Sequence, residues 1–366
     1  MAHALRLAEQ GLWTTDPNPR VGCVLVKDGQ VVGTGWHQRA GEAHAEIHAL
    51  HAAGERARGA TCYVTLEPCC HQGRTPPCSR ALIAAGVAKV VVAMQDPNPK
   101  VAGQGLQQLR DAGIEVVSGL LQAQAEALNP GFIQRMRSGR PYVRGKMAMS
   151  LDGRTAMESG ESQWITSAAA RSDVQVWRAR SSAILTGIGT VLADDPALTV
   201  RAAELPDYLV VPTELRQPLR VVVDTHLSMP TSAKLLRQPG KTLVFTATDD
   251  PDAREDLQAA GAEVVYLPSR DGCVDFVHML QELGQREINE IHLEAGANLA
   301  GALLKAQLID ELVIYMSPTL MGDKARALFH LPHLEQLKDR IQLDIQDLRA
   351  VGTDFRITAK VKALSE

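Results

Sequence analysis

His44-Ala45-Glu46, Pro68-Cys69 and Cys78 bring together residue types that bind and use a metal. One imidazole and two thiols suit Zn²⁺, and three protein ligands leave the fourth tetrahedral position for water. Zinc lowers the pKa of that water to about 7, so hydroxide is available near neutral pH. Glu46, two residues after the first ligand, suits the proton shuttle such a reaction needs. A structural zinc site would require a fourth ligand and would have no use for Glu46. The spacing also sets a geometric condition. Residues two apart on an ideal helix point roughly 200° apart. His44 and Glu46 therefore converge only if the triplet sits at a helix N-terminus with His44 capping it. Cys78 follows Pro76-Pro77 and begins a second predicted helix, where the N-terminus favours thiolate over thiol.

Neighbouring side chains read differently. His44 and His48 stand four apart, but a zincin pair needs Glu directly after the first His, and Ala45 is there. His48 and His51 read as ordinary polar positions of a helix. Cys70 and His71 are alternative ligands beside Cys69, and Cys23, Cys62 and Cys273 read as packing thiols. A second chemistry is suggested by glycine-bearing turns at Gly187-Ile188-Gly189-Thr190 and at Glu294 to Gly301. The latter follows a predicted strand, Glu290–Leu293, and opens a predicted helix, Leu299–Gln307. Such a turn is a ready phosphate cradle. No GxGxxG occurs, so the Rossmann pattern is missing.

These residues need a scaffold. The chain has 366 residues, 45% apolar and 22% charged, which suits about two soluble domains. Its net charge of −4 argues against a general nucleic-acid binder. No apolar run reaches membrane-span length, and Met1–Trp13 reads as a short amphipathic helix, not a signal peptide. Six cysteines in so long a chain form no disulfide scaffold, so the expected compartment is the cytoplasm. In the first third, strands are predicted at Val21–Val26, Val31–Gly35, Ala60–Leu66, Val87–Met94 and Ile114–Val117. Helices are predicted at His44–Ala53, Cys78–Ala85 and Val101–Ala112. Asp28-Gly29 between apolar runs signals a hairpin. The alternation predicts an α/β domain with a largely parallel sheet and one hairpin. A basic, turn-rich stretch before Tyr142 marks a boundary, giving expected domains 1–141 and 142–366. The second is also α/β, with strands at Tyr142–Met149, Ala183–Thr186, Arg220–Val223, Thr242–Thr246, Glu263–Leu267, Glu290–Leu293 and Glu311–Met316.

The spacing identifies a branch of the deaminases. Nucleoside and tRNA deaminases carry HxE and PCxxC, whereas eight residues separate Cys69 from Cys78 here. HAE with Leu66-Glu67-Pro68-Cys69 and Gly73-Arg74-Thr75-Pro76-Pro77-Cys78 resembles the deaminase domain of riboflavin biosynthesis. Pro17-Asn18-Pro19-Arg20-Val21-Gly22-Cys23 agrees with it. Lys146 to Arg154, Gly160 to Thr166 and Gly187 to Arg201 resemble the reductase domain of the same pathway. The resemblance implies a cytidine-deaminase-like three-layer α/β/α domain followed by a dihydrofolate-reductase-like α/β domain. It implies one zinc ion per chain, NADPH, a phosphorylated pyrimidine substrate and a homodimer, with no nucleic-acid or membrane partner. Asn18, His37 and Arg74 would line the deaminase pocket. Ala148, Trp164, Thr190, Asp194, Thr225 and the loop Gly296, Ala297, Asn298, Leu299, Ala300, Gly301, Ala302 would contact NADPH. Ser162, Arg178, Leu198, Arg201 and Glu294 would contact substrate, Arg178 and Arg201 suiting its phosphate, and Lys146 would act at the sugar. The rival reading is a zinc deaminase of another nucleoside or nucleic-acid base with an accessory nucleotide-binding domain.

Overall fold

The computed structural model describes residues 1–70, 76–99, 101–209, 211–212, 215–332 and 334–362. They divide into two compact units between Arg140 and Pro141. Among them, no helix is long and apolar enough to cross a membrane.

The first unit is built on a five-stranded sheet. Its order is Gln30–Trp36, Gly22–Lys27, Thr61–Val64, Lys89–Val92 and Glu115–Ser118. Asp28 and Gly29 take φ of 49° and 75°, the backbone a two-residue hairpin requires, and Lys27 pairs with Gln30. The expected largely parallel sheet is corrected here. Gly22–Lys27 runs antiparallel to both neighbours, and only the last three strands are parallel. The reason is the crossover: helix Ala45–Ala53 passes over Gly22–Lys27 before Thr61–Val64 joins its far side, which sets a polarity that hydrophobic periodicity does not encode.

That helix lies unusually close to the hairpin. A Cβ on Gly33 would stand 2.2 Å from the Ala49 carbonyl, and one on Gly35 would stand 2.4 Å from that of Ala45. Ala45, Ala49 and Ala53 are the small residues on the facing side, all buried. Glycine against alanine thus sets the height at which His44 and Glu46 sit above the sheet.

The second unit has a nine-stranded sheet. From edge to edge the order is Ala262–Tyr266, Thr242–Thr246, Leu219–Val223, Ala183–Gly187, Glu290–Leu293, Tyr142–Ser150, Glu311–Ser317, Asp354–Val361 and Leu343–Val351. The first seven are parallel to their neighbours, and the last two pair antiparallel. Leu185, Val221 and Leu243 serve one core cluster, and Val222, Val244 and Val264 serve another. The alternation matches a sheet covered on both faces. The sequence reading omits the C-terminal hairpin, although Phe355, Ile357, Ala359 and Val361 alternate with polar residues on the inner strand; on the outer strand a register shift between Ile345 and Asp347 interrupts the alternation. Helix Ala297–Lys305 starts two residues earlier than predicted, with Gly296 as its cap.

Helix Ala168–Arg180 packs on the half of this sheet nearest the C-terminal hairpin. Ser167 Oγ caps it, accepting from Ala170 N at 3.3 Å. Trp177 anchors it. The guanidinium of buried Arg144 lies 4.7 Å from the Trp177 ring while bonding Glu290 at 2.9 Å and Glu311 at 2.6 Å. Asp173 on the same helix accepts from Arg356 at 2.7 Å and from Tyr315. These ties fix the turn that carries Arg178.

Candidate active sites

In the first unit, His44 is the N-cap of helix Ala45–Ala53, with ψ of 165°. That is the arrangement the HAE spacing requires. Cys78 opens helix Cys78–Ala85 directly after Pro77, and Cys69 ends the segment leaving strand Thr61–Val64. Among the described residues, His44, Cys69 and Cys78 form the one cluster of three metal-ligating groups, their ligand atoms within 4.8 Å of one another. His44 Nδ1 stands 3.6 Å from Cys69 Sγ and 3.3 Å from Cys78 Sγ. Tetrahedral bonds of about 2.1 Å to nitrogen and 2.3 Å to sulfur separate such atoms by about 3.6 Å. The donor set therefore fits zinc with one coordination position open.

The electrostatics agree with ligand chemistry. The Cys78 thiol and His44 bond the Cys69 sulfur and bring its pKa down to about 4 against the effect of burial, while Cys78 is pushed up by sharing its proton with Cys69. Glu46 is buried, 3% exposed. Burial drives its carboxyl up to about 7, against the pull of His44, which suits a group that takes and returns a proton near neutrality.

Asn18 and His37 join this site. Asn18 Nδ2 lies 3.1 Å from His37 Nε2, and His37 Nδ1 lies 3.1 Å from the Ala43 carbonyl. The rings of His37 and His44 meet edge-on, 5.3 Å apart. Arg74 and His71 lie outside the described residues. Cys70 points elsewhere, its sulfur 3.9 Å from Gln104 Oε1. Cys23 and Cys62 are buried with sulfurs 3.5 Å apart.

In the second unit, the residues anticipated for the cofactor lie along one edge of the sheet. Ala148 is near the carboxyl end of Tyr142–Ser150, and Lys146, anticipated for the sugar, is at the middle of the same strand. The loop from Glu294 follows Glu290–Leu293, Thr190 and Asp194 follow Ala183–Gly187, and Thr225 follows Leu219–Val223. These four strands are consecutive neighbours, so the row spans about 14 Å at a strand spacing near 4.8 Å. Ligands of open α/β sheets bind at such carboxyl edges. Gly296 caps helix Ala297–Lys305 without a side chain, and a Cβ there would project into open space. Its first turn carries no acidic residue. The bare N–H groups fit the pyrophosphate of a dinucleotide.

Two members of the predicted loop are packed against their neighbours. Ala300 is fully buried, and a Cβ on Gly301 would stand 2.2 Å from the His330 carbonyl. The small residues here serve packing of the helix on its neighbour. Leu198 is likewise buried, at a φ of 48°. Trp164 is exposed and stacks under Arg171, whose guanidinium is 4.5 Å from the ring. Ser162 is half-buried on the same loop.

The two arginines expected to hold a phosphate also divide. Arg178 grips Glu294 in two bonds of 2.5 and 2.8 Å and gives a third to the Thr199 carbonyl at 3.0 Å. These bonds fix the position of Glu294. Arg201 is half-exposed and pairs with Glu204 at 2.7 Å, which leaves one face of its guanidinium open. Burial pushes the Glu294 carboxyl up, but Arg178 outweighs it and holds it well below the usual range. Burial lowers Lys146, with Glu294 opposing.

Sequence reasoning missed His292 and Glu67. His292 is fully buried with Nε2 3.3 Å from Glu294 Oε1. Its signal was a polar residue inside the apolar strand Glu290–Leu293. Glu67 is buried beside Cys69, and its signal was a carboxylate between a strand and the Pro-Cys step.

The comparisons with known proteins cover both units. Residues 1–94 match the cytidine and deoxycytidylate deaminase zinc-binding region, and residues 141–357 match the RibD C-terminal domain. The chain is 55% identical to the riboflavin biosynthesis protein RibD of Escherichia coli K12, over 97% of this chain and 96% of that one. It is 51% identical to RibD of Haemophilus influenzae, over 100% and 97%. Among solved structures, Acinetobacter baumannii RibD superposes with a TM-score of 0.90 at 46% identity, covering 99% and 98% of the two chains. A Thermotoga maritima diaminohydroxyphosphoribosylaminopyrimidine deaminase/5-amino-6-(5-phosphoribosylamino)uracil reductase superposes at 0.85 with 31% identity, covering 99% and 97%. With both of its units matched and its full length shared, the chain belongs to the RibD family of bifunctional riboflavin-biosynthesis deaminase–reductases.

Proposed function

We propose that the first unit hydrolytically deaminates 2,5-diamino-6-ribosylamino-4(3H)-pyrimidinone 5′-phosphate. The second then reduces the ribosyl group of the resulting 5-amino-6-(5-phosphoribosylamino)uracil to ribityl with NADPH. The observation that carries the reading is the convergence of His44 Nδ1, Cys69 Sγ and Cys78 Sγ beside buried Glu46. Bound zinc supplies the Lewis acidity that makes water a nucleophile at neutral pH. Glu46 would take a proton from the attacking water and give it to the ring nitrogen as the hydroxyl adds to the amidine carbon; it would then take the proton of that hydroxyl and deliver it to the amino group, which leaves as ammonia as the carbonyl forms. Asn18 hydrogen-bonds the base edge, and His37 holds Asn18 and packs on His44.

In the second unit, NADPH when bound would supply the hydride for C1′. Thr225, Thr190, Asp194, Trp164 and Ala148, with Gly296, Ala297, Asn298, Leu299 and Ala302 of the helix-capping loop, would hold the cofactor. Glu294, held by Arg178, accepts from the sugar hydroxyls. Lys146 stands beside them, and Arg201 with Ser162 receives the phosphate. As the hydride is added the C1′–O4′ bond would break, its electron pair would go to O4′, and O4′ would take a proton from solvent.

The chain acts in the cytoplasm on this small phosphorylated substrate, without nucleic acid or membrane. It does so as a homodimer. Leu343, Ile345, Leu348 and Phe355 share one face of the C-terminal hairpin by register, and all are exposed. An apolar stripe on an edge hairpin suits burial against a second copy. Ile345→Asp with Leu348→Asp should convert the sedimenting species from dimer to monomer, and a wild type that sediments as a monomer would remove the assignment.

The decisive experiment follows ammonia release and NADPH absorbance together on the diaminopyrimidine ribosyl phosphate. Both signals in that order are expected. Ammonia without NADPH oxidation would sink the reductase assignment. Neither signal from protein carrying one zinc per chain would redirect the search to other aminopyrimidines.

A further inference from the structure

Helix Gln104–Asp111 carries no metal ligand and no substrate residue. Its cap is Gly103, which has no side chain to offer the first N–H groups. Those groups are satisfied from elsewhere in the chain. Glu67 Oε1 accepts from Gly105 N at 2.9 Å and Leu106 N at 3.2 Å, and Glu67 Oε2 accepts from Gly103 N at 3.0 Å and Asp96 N at 3.1 Å. Four backbone donors thus converge on one carboxylate that is 3% exposed. It sits where the positive end of the helix favours an anion.

Glu67 is two residues from Cys69, and the segment between them is pinned throughout. Glu67 N donates to the Met94 carbonyl at 3.0 Å. The Pro68 carbonyl lies against Gly105 so closely that a Cβ there would stand 2.0 Å from it. The Cys69 carbonyl accepts from Ser79 N at 3.1 Å, which ties the Cys69 segment to helix Cys78–Ala85. Ser79 Oγ donates to Gln108 Oε1 at 2.7 Å, which ties that helix back to Gln104–Asp111. The bonds close a triangle: the Cys69 segment, the Cys78 helix and the ligand-free helix each hold the other two.

We propose that Glu67 is a positioning residue of the metal site, using helix Gln104–Asp111 as a brace that holds Cys69 and Cys78 at ligand spacing. The inference rests on the reading of His44, Cys69 and Cys78 as the zinc site. Groups that orient metal ligands typically change metal affinity by about 10- to 100-fold when replaced. Glu67→Gln keeps one acceptor oxygen but turns an NH₂ toward two of the four donors. Gln108→Ala removes a single side-chain tie and leaves the core intact.

The test measures zinc loss to a chelator and the cobalt-substituted absorption spectrum in the full chain. Thermal unfolding of the full chain followed by circular dichroism, with a first-unit transition like that of the wild type, serves as the control for folding, and NADPH oxidation on the deaminated intermediate confirms the second unit. Wild-type protein should hold one zinc. Failure there would overturn the site reading itself, independently of Glu67. Glu67→Gln should lose zinc about 10- to 100-fold faster and shift the sulfur-to-cobalt bands, and Gln108→Ala should lose it several-fold faster, both with reductase activity unchanged. Wild-type zinc retention and an unchanged cobalt spectrum in a folded Glu67→Gln would overturn the proposal. If Glu67→Gln does not fold, Gln108→Ala decides it: accelerated zinc loss supports the brace, and wild-type retention overturns it.

Discussion

Glu46 is buried beside the metal cluster and bonds Cys78 but is not one of the three ligands, so its replacement separates chemistry from metal binding. Glu46→Gln should keep zinc at one per chain while ammonia release falls by about 10²- to 10⁴-fold, the usual worth of a positioned proton shuttle. Metal analysis beside an ammonia assay checks it, and an active variant would remove Glu46 from the mechanism. Glu294 makes the opposite point, because its interaction with Arg178 supports the fold as well as the site. Its carboxyl is held below the ordinary value, so the pair's stabilisation is present above the unfolded pKa of about 4.5 and fades as pH falls through the lower folded value. The reductase activity should therefore inactivate at lower temperature as pH drops from about 5 toward 3. Glu294→Gln should flatten that dependence and cost roughly 3–5 kcal/mol at neutral pH, because Arg178 is left buried without its anion. Thermal inactivation of NADPH oxidation across pH reads both effects.

Secondary-structure elements deliver these residues by close approach. Helix Ala45–Ala53 carries His44 and Glu46 and rests on Gly33 and Gly35, where nothing larger than hydrogen fits. Gly35→Val should lift the helix from the hairpin and cost about 1–3 kcal/mol or more. Zinc content and ammonia release should fall together while the second unit keeps its activity. A variant with full zinc content would show that the helix tolerates displacement at its first turn. The same logic runs through helix Ala168–Arg180, where Trp177 under three arginine guanidinia fixes the rotation that aims Arg178 at Glu294. Trp177→Ala should lower reductase activity with no change at the zinc site, measured by NADPH oxidation on the deaminated intermediate.

At the scale of the whole molecule, the two chemistries occupy separate compact units, each with its own sheet and core. A chelator should therefore abolish ammonia release and leave reduction of the deaminated intermediate intact. Restoring zinc should restore the first step alone. Loss of both activities on zinc removal would show that the metal supports the second unit as well.

The sequence by itself determined the chemistry of the first site. His44, Glu46, Cys69 and Cys78 are local signals whose spacing already demanded a helix N-terminus, and Asp28-Gly29 encoded its own turn. The boundary near residue 140 and most strands were legible because buried strands are continuous apolar runs. Tertiary structure alone decided the rest. Strand polarity in the first sheet depends on where a crossover lands, whereas the C-terminal hairpin carries its own signal, Phe355, Ile357, Ala359 and Val361 alternating with Arg356, Thr358 and Lys360, which the sequence reading passes over. The partners of Arg178 and Glu67 lie 116 and up to 39 residues away. A charged residue's sequence neighbourhood does not say whether it will meet a phosphate, a carboxylate or the bare end of a helix. That choice is made by which groups lose water together when the chain folds, and only the folded chain brings them into reach.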